Sequence, residues 1–158
     1  MENSSTDVHS KFMNAAYQEA MKALDEGEVP VGAVVEKDGW IVGRGYNRVE
    51  GLFDVTAHAE IVAIGAASGY LKTWRLAGCK LYVTLEPCIM CLGAMMQARV
   101  DEIVFGAVDP RLGAVDTFLH RHELERSYRF FPRVTRGVMQ DECSKLLSSF
   151  FKDLRNRA

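Results

Sequence analysis

Four residues in two short segments have the side-chain types and the spacing of a catalytic metal site. His58 and Glu60 lie two residues apart, and Cys88 and Cys91 lie three apart. Zn²⁺ binds imidazole nitrogen and thiolate sulfur, and a catalytic zinc keeps one of its four positions open for water. One histidine and two cysteines leave that position free, so Glu60 could move protons to and from the water. The four residues therefore predict a zinc enzyme.

Each of the two segments lies where a helix is predicted to begin. The sequence predicts one helix over residues 57–67 and another over residues 87–99, with Pro87 at the first helical position. Unpaired N–H groups and the helix dipole favour thiolate over thiol at such an end. The two cysteines share one helical face. The histidine and the glutamate would not share a face in mid-helix, so we expect the site across the start of the first helix.

The rest of the chain alternates predicted strands with predicted helices. Strands are predicted at residues 31–36, 40–46, 80–85, 102–108 and 133–138, and helices at residues 8–26 and 141–157. An Asp-Gly pair joins the first two strands as a hairpin. This order predicts a single α/β domain over residues 1–158, with three layers and a mixed sheet of about five strands.

The composition excludes several classes of protein. The 158 residues are 48% apolar and 25% charged, which is typical of a globular domain and not of a disordered or collagenous chain. No apolar run is long enough to span a membrane and no signal peptide is evident, so we expect a cytoplasmic protein without a membrane partner. The net charge is −2, but it is unevenly distributed. Residues 1–110 carry 9 basic and 15 acidic side chains, whereas residues 111–158 carry 10 basic and 6 acidic ones. The two stretches could face different partners.

Two less specific interpretations of the cysteines remain open. The site could be structural, in a zinc-stabilised binding module without activity, or the cysteines could be buried without metal. In a structural site the fourth ligand would be Cys79, Cys143, His9, His120 or His122. For Cys79 and Cys143, simple packing in the core is the favoured role.

The chain resembles the bacterial tRNA-specific adenosine deaminases of the cytidine deaminase-like zinc superfamily over about residues 10–155. It contains the H-x-E and P-C-x-x-C signature of zinc nucleobase deaminases. The resemblance extends to EVPVGAVV, GYNR, AHAEI, LYVTLEPCIMCLGAM, IVFGAVD and DECSKLLSSFF. Guanine, cytosine and riboflavin-pathway deaminases share the zinc signature, but they are not expected to match both EVPVGAVV and LLSSFF.

The resemblance implies an α/β/α cytidine deaminase-like fold, a homodimer and a tRNA anticodon loop as partner. The implied reaction is hydrolytic deamination of adenosine to inosine at the wobble position. A water activated by zinc on His58, Cys88 and Cys91 would attack adenine C6, and Glu60 would carry protons to N1 and to the departing ammonia. A free nucleobase or nucleoside deaminase of guanine or cytosine type is the alternative activity.

The resemblance also implies residues that bind the target nucleotide. Asn47 would hydrogen-bond the base, and Val29 with Pro30 would form an apolar wall against it. The backbone N–H of Ala59 would help to hold the reacting group at the zinc. Asp109 would contact the sugar or phosphate region of the RNA.

The C-terminal helix supplies candidates for contacts with the anticodon loop. Unpaired nucleotides can be held by aromatic and basic side chains, and Phe151 and Arg155 are the candidates here. Phe150 and Phe151 are adjacent and cannot both face one side of a helix. We therefore expect one of these two rings to lie in the core.

The segment 108–117 departs from the usual pattern of the family. Val108 lacks the expected charge, Arg111 stands for lysine, and Asp116 adds a negative charge. A contact with a phosphate tolerates the change from lysine to arginine, but an added carboxylate repels the phosphate. The departure affects the expected RNA contacts and not the zinc chemistry.

Overall fold

The computed structural model describes residues 3–117 and 121–158, so His120, one of the alternative zinc ligands, lies outside the described residues. The described part contains five strands and six helices. The strands are β1 (Gly32–Lys37), β2 (Trp40–Tyr46), β3 (Cys79–Leu85), β4 (Glu102–Ala107) and β5 (Arg133–Arg136). The helices are α1 (Asn3–Asp25), α2 (Val49–Leu52), α3 (Ala59–Leu71), α4 (Ile89–Ala98), α5 (Arg121–Tyr128) and α6 (Gln140–Arg157).

The strands form one mixed sheet in the order β2-β1-β3-β4-β5. Strand β1 pairs antiparallel with β2 and with β3, whereas β3 with β4 and β4 with β5 are parallel. The hairpin turns at Asp38 and Gly39, both of which have positive φ, as the predicted Asp-Gly turn requires. The parallel pairs need crossovers, which α4 and α5 supply. The predicted mixed sheet of about five strands is therefore confirmed.

Helices cover both faces of the sheet, which confirms the three-layer prediction. Tyr82 of β3 contacts the rings of His9 and Phe12 of α1, and Gly106 of β4 packs against Cys143 of α6 on the same face. Strand β2 packs on α3 on the opposite face, where α3 also contacts α4. None of the described helices is both long and apolar enough to cross a membrane.

Two glycines of β2 let α3 approach the sheet at backbone distance. A Cβ at Gly43 would lie 2.4 Å from the carbonyl oxygen of Ala63, and a Cβ at Gly45 would lie 2.4 Å from the carbonyl oxygen of Ala59. Both alanines are fully buried on the inner face of α3. The start of α3 is thus fixed by contact of main chain with main chain.

The structure differs from the sequence expectations at several element boundaries. The prediction of Pro87 as the first helical residue was wrong, because Cys88 is still extended and α4 begins at Ile89. The carbonyl of Pro87 accepts a hydrogen bond from the N–H of Ala114 and so lies outside the helix. Helix α1 begins earlier than predicted and β5 is shorter. Neither α2 nor α5 was predicted, since α2 has only 4 residues and α5 is strongly polar.

Candidate active site

A cleft of about 970 Å³ opens at the edge of the sheet where β3 and β4 end. Ligands of α/β proteins bind at this edge, outside the carboxyl ends of the parallel strands. Four strands contribute a lining residue at this edge: Val29 comes shortly before β1, which runs antiparallel to its neighbours, and Asn47, Glu86 and Val108 directly follow β2, β3 and β4. The N-terminal turn of α3 and one side of α6 complete the walls. The sheet topology therefore brings together residues from distant parts of the sequence.

His58, Cys88 and Cys91 form a cluster at the inner end of this cleft, called the metal cluster below. His58 is the residue that caps the start of α3, and Cys88 caps the start of α4, so both lie at helix ends as predicted. The Nδ1 of His58 lies 3.6 Å from the Sγ of Cys88 and 3.5 Å from the Sγ of Cys91. A tetrahedral zinc with Zn–N of about 2.0 Å and Zn–S of about 2.3 Å separates such atoms by about 3.5 Å. The donor set and its spacing fit zinc.

The metal cluster contains three ligands within residues 3–117 and 121–158. None of the alternative fourth ligands in this part of the chain joins it. Cys79 and Cys143 are fully buried at the start of β3 and on α6, His9 hydrogen-bonds to Tyr82, and His122 is exposed on α5. Three protein ligands with a fourth position free is the arrangement of catalytic zinc sites and not of structural ones.

The surroundings of Cys88 favour the thiolate form that a metal requires. Hydrogen bonds from Cys91 and His58 to its sulfur hold the pKa of Cys88 far below the ordinary value of a thiol. The same contact with Cys88 raises the pKa of His58. Thiolate is the form of cysteine that binds metal.

Glu60 lies in the first turn of α3, in the wall of the cleft beside the metal cluster. Its side chain is only 4% exposed, and burial raises the pKa of Glu60 to about 7. It is not part of the metal cluster. A buried carboxylate beside a metal but not bound to it can accept and donate a proton. Glu60 therefore lies beside the metal cluster, and its role as the proton carrier stays a prediction.

The predicted base-binding residues lie along the inner part of the cleft, with one exception. Val29, Asn47 and Ala59 line the cleft, whereas Pro30 is buried and is not a lining residue. The side-chain nitrogen of Asn47 lies 3.5 Å from the carboxylate of Glu28, to which it donates. The contacts of these residues with a substrate remain predictions.

The two phenylalanines of α6 both line the cleft. Their rings meet edge to face with centroids 5.4 Å apart, and Phe151 is 39% exposed while Phe150 is half-buried. The expectation that one ring lies in the core was wrong. The buried residues of α6 are Cys143 and Leu147, so the last turns of the helix extend beyond the sheet. Arg155 is exposed there and does not line the cleft.

The segment that departs from the family pattern forms the outer wall of the cleft. Asp109 lines the cleft, and one of its carboxylate oxygens accepts hydrogen bonds from the N–H groups of Arg111 and Leu112. Asp116, the added acid, is paired with Arg136 of β5 through both of its oxygens. The extra negative charge is therefore compensated within the protein.

Two buried carboxylates in the cleft wall were missed by the sequence reasoning. Glu28 accepts hydrogen bonds from the N–H groups of Glu50 and Gly51 and so holds α2. Glu86 accepts hydrogen bonds from residues of the segment 109–117. Glu28 and Glu86 each stand directly beside a run of apolar residues at a strand end. A charged residue in such a position is the sequence signal that could have indicated these two carboxylates.

Comparison with known proteins places the chain in a family. The model of the cytidine and deoxycytidylate deaminase zinc-binding region matches residues 6–107. The tRNA-specific adenosine deaminase of Bacillus subtilis (strain 168) is 44% identical over 146 residues, which are 92% of this chain and 90% of that protein.

Comparison with solved structures leads to the same family. A structure from a study of A-to-I editing by tRNA:A34 deaminases at the wobble position of transfer RNA matches with a TM-score of 0.82 and 42% identity, over 87% of this chain and 99% of that one. The guanine deaminase of Bacillus subtilis matches with a TM-score of 0.61 and 31% identity, over 77% of this chain and 93% of that one. The chain belongs to the cytidine and deoxycytidylate deaminase family and, within it, to the group of the tRNA-specific adenosine deaminases.

Proposed function

We propose that the protein is a zinc-dependent deaminase that converts adenosine to inosine at the wobble position of a tRNA anticodon. The observation that carries the proposal is the buried Glu60 beside a cluster of three metal ligands at the inner end of an open cleft. The membership of the chain in the tRNA-specific adenosine deaminase group supports adenosine in tRNA as the substrate.

The chain's own residues account for binding the metal and for moving protons. His58, Cys88 and Cys91 would hold the ion. A bound Zn²⁺ supplies an activated water as the nucleophile at neutral pH. Glu60 would take a proton from that water and deliver it to adenine N1 as the water oxygen bonds to C6. It would then take the remaining proton of that oxygen and deliver it to the amino group, and the C6–N bond would break to release ammonia. The overall change consumes one water and releases one ammonia.

The inner cleft has the properties needed to hold a single extruded base. A base must leave the helical stack to reach a zinc site, and an anticodon loop offers bases that are already unpaired. Val29 and Ala59 give apolar surface beside the metal cluster, and the amide of Asn47 is available for a hydrogen bond to the base edge. Glu28 holds that amide in place.

The outer cleft offers aromatic and basic groups for the neighbouring nucleotides. Phe151 is an exposed ring at the cleft, and Arg111 also lines the cleft. Basic residues outnumber acidic ones in residues 111–158, so a local positive patch can bind the phosphates although the protein as a whole is not basic. Arg155 and Asp109 are proposed to contribute at the rim.

The test is an inosine assay with the purified zinc-loaded protein. A tRNA with adenosine at the wobble position is expected to yield inosine, and the matched tRNA with adenosine at a neighbouring anticodon position is not. The affinity for tRNA is expected to fall as salt rises, because counterions compete for the phosphates. Deamination of free guanine or cytosine without inosine in tRNA, together with salt-independent binding, would favour the alternative of a free-base deaminase.

We also propose that the chain acts as a homodimer in the cytoplasm. The outward side of α3 carries small and apolar residues, including Gly65, Ala66 and Gly69, and Ile89 of the neighbouring α4 is 55% exposed. A helix that is apolar all round is usually buried on both sides. Phe53 beside α2 is 96% exposed. Sedimentation equilibrium should give twice the chain mass, and a monomer at micromolar concentration would contradict this proposal.

A further inference from the structure

Glu86 is a buried carboxylate that the proposed reaction does not use. It follows β3 directly and stands two residues before the metal ligand Cys88, and only 2% of it is exposed. A carboxylate at this depth destabilises the fold unless its oxygens accept hydrogen bonds. The groups that donate those hydrogen bonds therefore indicate what the side chain does.

The donors all belong to the outer wall of the cleft, residues 109–117, called the 109–117 loop below. One oxygen accepts from the N–H of Asp109 at 3.3 Å and from the hydroxyl of Thr117 at 2.9 Å. The other accepts from the N–H groups of Val115 at 3.2 Å and Asp116 at 3.1 Å. An ionised carboxylate only accepts, so this set of donors matches it. A single side chain thus ties together both ends of the loop.

Two further contacts fit the loop closely around Glu86. The N–H of Ala114 donates to the carbonyl of Pro87 at 2.9 Å, which binds the loop to the next residue of the same segment. A Cβ at Gly113 would lie 2.3 Å from the Oε2 of Glu86, so this position admits no side chain while the carboxylate is in place. The shape of the loop therefore depends on this carboxylate.

The loop presents Pro110, Arg111 and Leu112 to the cleft, and it is bound through Ala114 to Pro87, the residue before Cys88. We propose that Glu86 is a positioning residue that holds the 109–117 loop at a fixed distance from the metal cluster. Held in this way, Arg111 and Leu112 meet the nucleotides beside the target base. The identity of that substrate rests on the proposed function, whereas the hold on the loop does not.

The variant Glu86→Gln tests this role in the zinc-loaded full chain. Glutamine keeps the shape of the side chain, but its NH₂ group replaces one acceptor and faces backbone N–H donors. Amide hydrogen exchange at Val115 and Asp116 is expected to rise about tenfold or more, because lost hydrogen bonds let the loop open. The KM for an anticodon stem-loop should rise about tenfold, with kcat and zinc content changed by less than about twofold.

A second buried carboxylate provides the matched control. Glu102 of β4 accepts a hydrogen bond from the hydroxyl of Thr135 at 2.7 Å and does not line the cleft. Glu102→Gln should lower stability without changing loop exchange or KM. If Glu86→Gln does not fold, Thr117→Val removes one donor at an exposed position. It should change loop exchange and KM in the same direction, by about threefold.

Two results would overturn the proposal. One is a folded Glu86→Gln protein in which loop exchange and KM equal those of the wild type. The other is a loss of zinc or of kcat with KM unchanged, which would mean that Glu86 acts on the metal turn instead. Because exchange is measured on the protein alone, a wild type that forms no inosine contradicts only the proposed function.

Discussion

The inner and outer walls of the cleft are held in place by different forces. The inner wall consists of the first turns of α3 and α4, which pack onto the sheet through buried residues that include Ala59 of α3 and Cys91 of α4. The outer wall, the 109–117 loop, is mostly exposed at its tip and is held by hydrogen bonds to Glu86 and by the pairing of Asp116 with Arg136. Packing fixes the groups that do chemistry, and polar contacts fix the groups that meet the substrate. Substitutions in the inner wall should therefore change kcat, and substitutions in the outer wall should change KM.

The largest effect is expected when a metal ligand of the inner wall is removed. Cys91→Ala should abolish zinc binding and lower turnover more than about a thousandfold, because the activated water is lost. Metal content and inosine formation would be measured together. Cys143→Ala removes a cysteine that is equally buried on α6, and it should keep its zinc while its melting temperature falls. Full zinc content in Cys91→Ala would contradict the assignment of this ligand.

Glu60→Gln should lower kcat nearly as much as Cys91→Ala lowers turnover, while zinc remains bound. The amide has the size of the carboxylate but cannot take up a proton, and loss of a general acid and base costs about a thousandfold. Single-turnover rates and metal analysis separate the two effects. Zinc loss in this variant would make Glu60 a ligand and would contradict its role as a proton carrier. Glu102→Gln again serves as the control for loss of a buried charge.

A smaller effect, confined to KM, is expected on the outer side of the cleft. Phe151→Ala should raise the KM for an anticodon stem-loop about tenfold, because stacking of a base on an aromatic ring contributes about 1–3 kcal/mol. Its kcat should stay within about twofold. Trp40→Ala removes an exposed ring at the far end of β2 and should change neither constant. A drop in kcat for Phe151→Ala would contradict the distinction between inner groups, which do the chemistry, and outer groups, which bind the substrate.

The smallest effect is expected at the added acid of the outer wall. Asp116→Asn breaks a surface ion pair with Arg136, and such pairs contribute only about 0.2–1 kcal/mol. The KM for tRNA should therefore change by less than about threefold. A large decrease in KM would mean that the carboxylate repels RNA in spite of its pairing.

The inner wall could be predicted from the sequence because its signals are local. His58 with Glu60 and Cys88 with Cys91 each stand close together in the sequence, near a predicted helix start. Helix starts can be predicted from the periodicity of apolar residues and from the positions of proline and glycine. The order of strands and helices likewise gave the three layers and the mixed sheet. The exact start of α4 was missed, because no local signal shows that the carbonyl of Pro87 accepts a hydrogen bond from the distant N–H of Ala114 and lies outside the helix.

The outer wall could not be predicted because its contacts join residues far apart in the chain. Glu86 meets donors 23 to 31 residues away, and Asp116 meets Arg136 across 20 residues. No periodicity marks such pairs. The positions of Phe150 and Phe151 also depended on where α6 leaves the sheet, which helical spacing alone does not reveal.

The glycines of β2 have a consequence for the affinity of the protein for its metal. A Cβ at Gly45 would displace the carbonyl of Ala59, the neighbour of His58, and so would move the first turn of α3 outward. Metal–ligand distances tolerate only about 0.2 Å of error. Zinc affinity is therefore sensitive to a residue that has no side chain, lies outside the cleft, and stands 13 positions before the ligand in the chain. An assay of metal retention in variants of this strand would detect damage that inspection of the active site alone would miss.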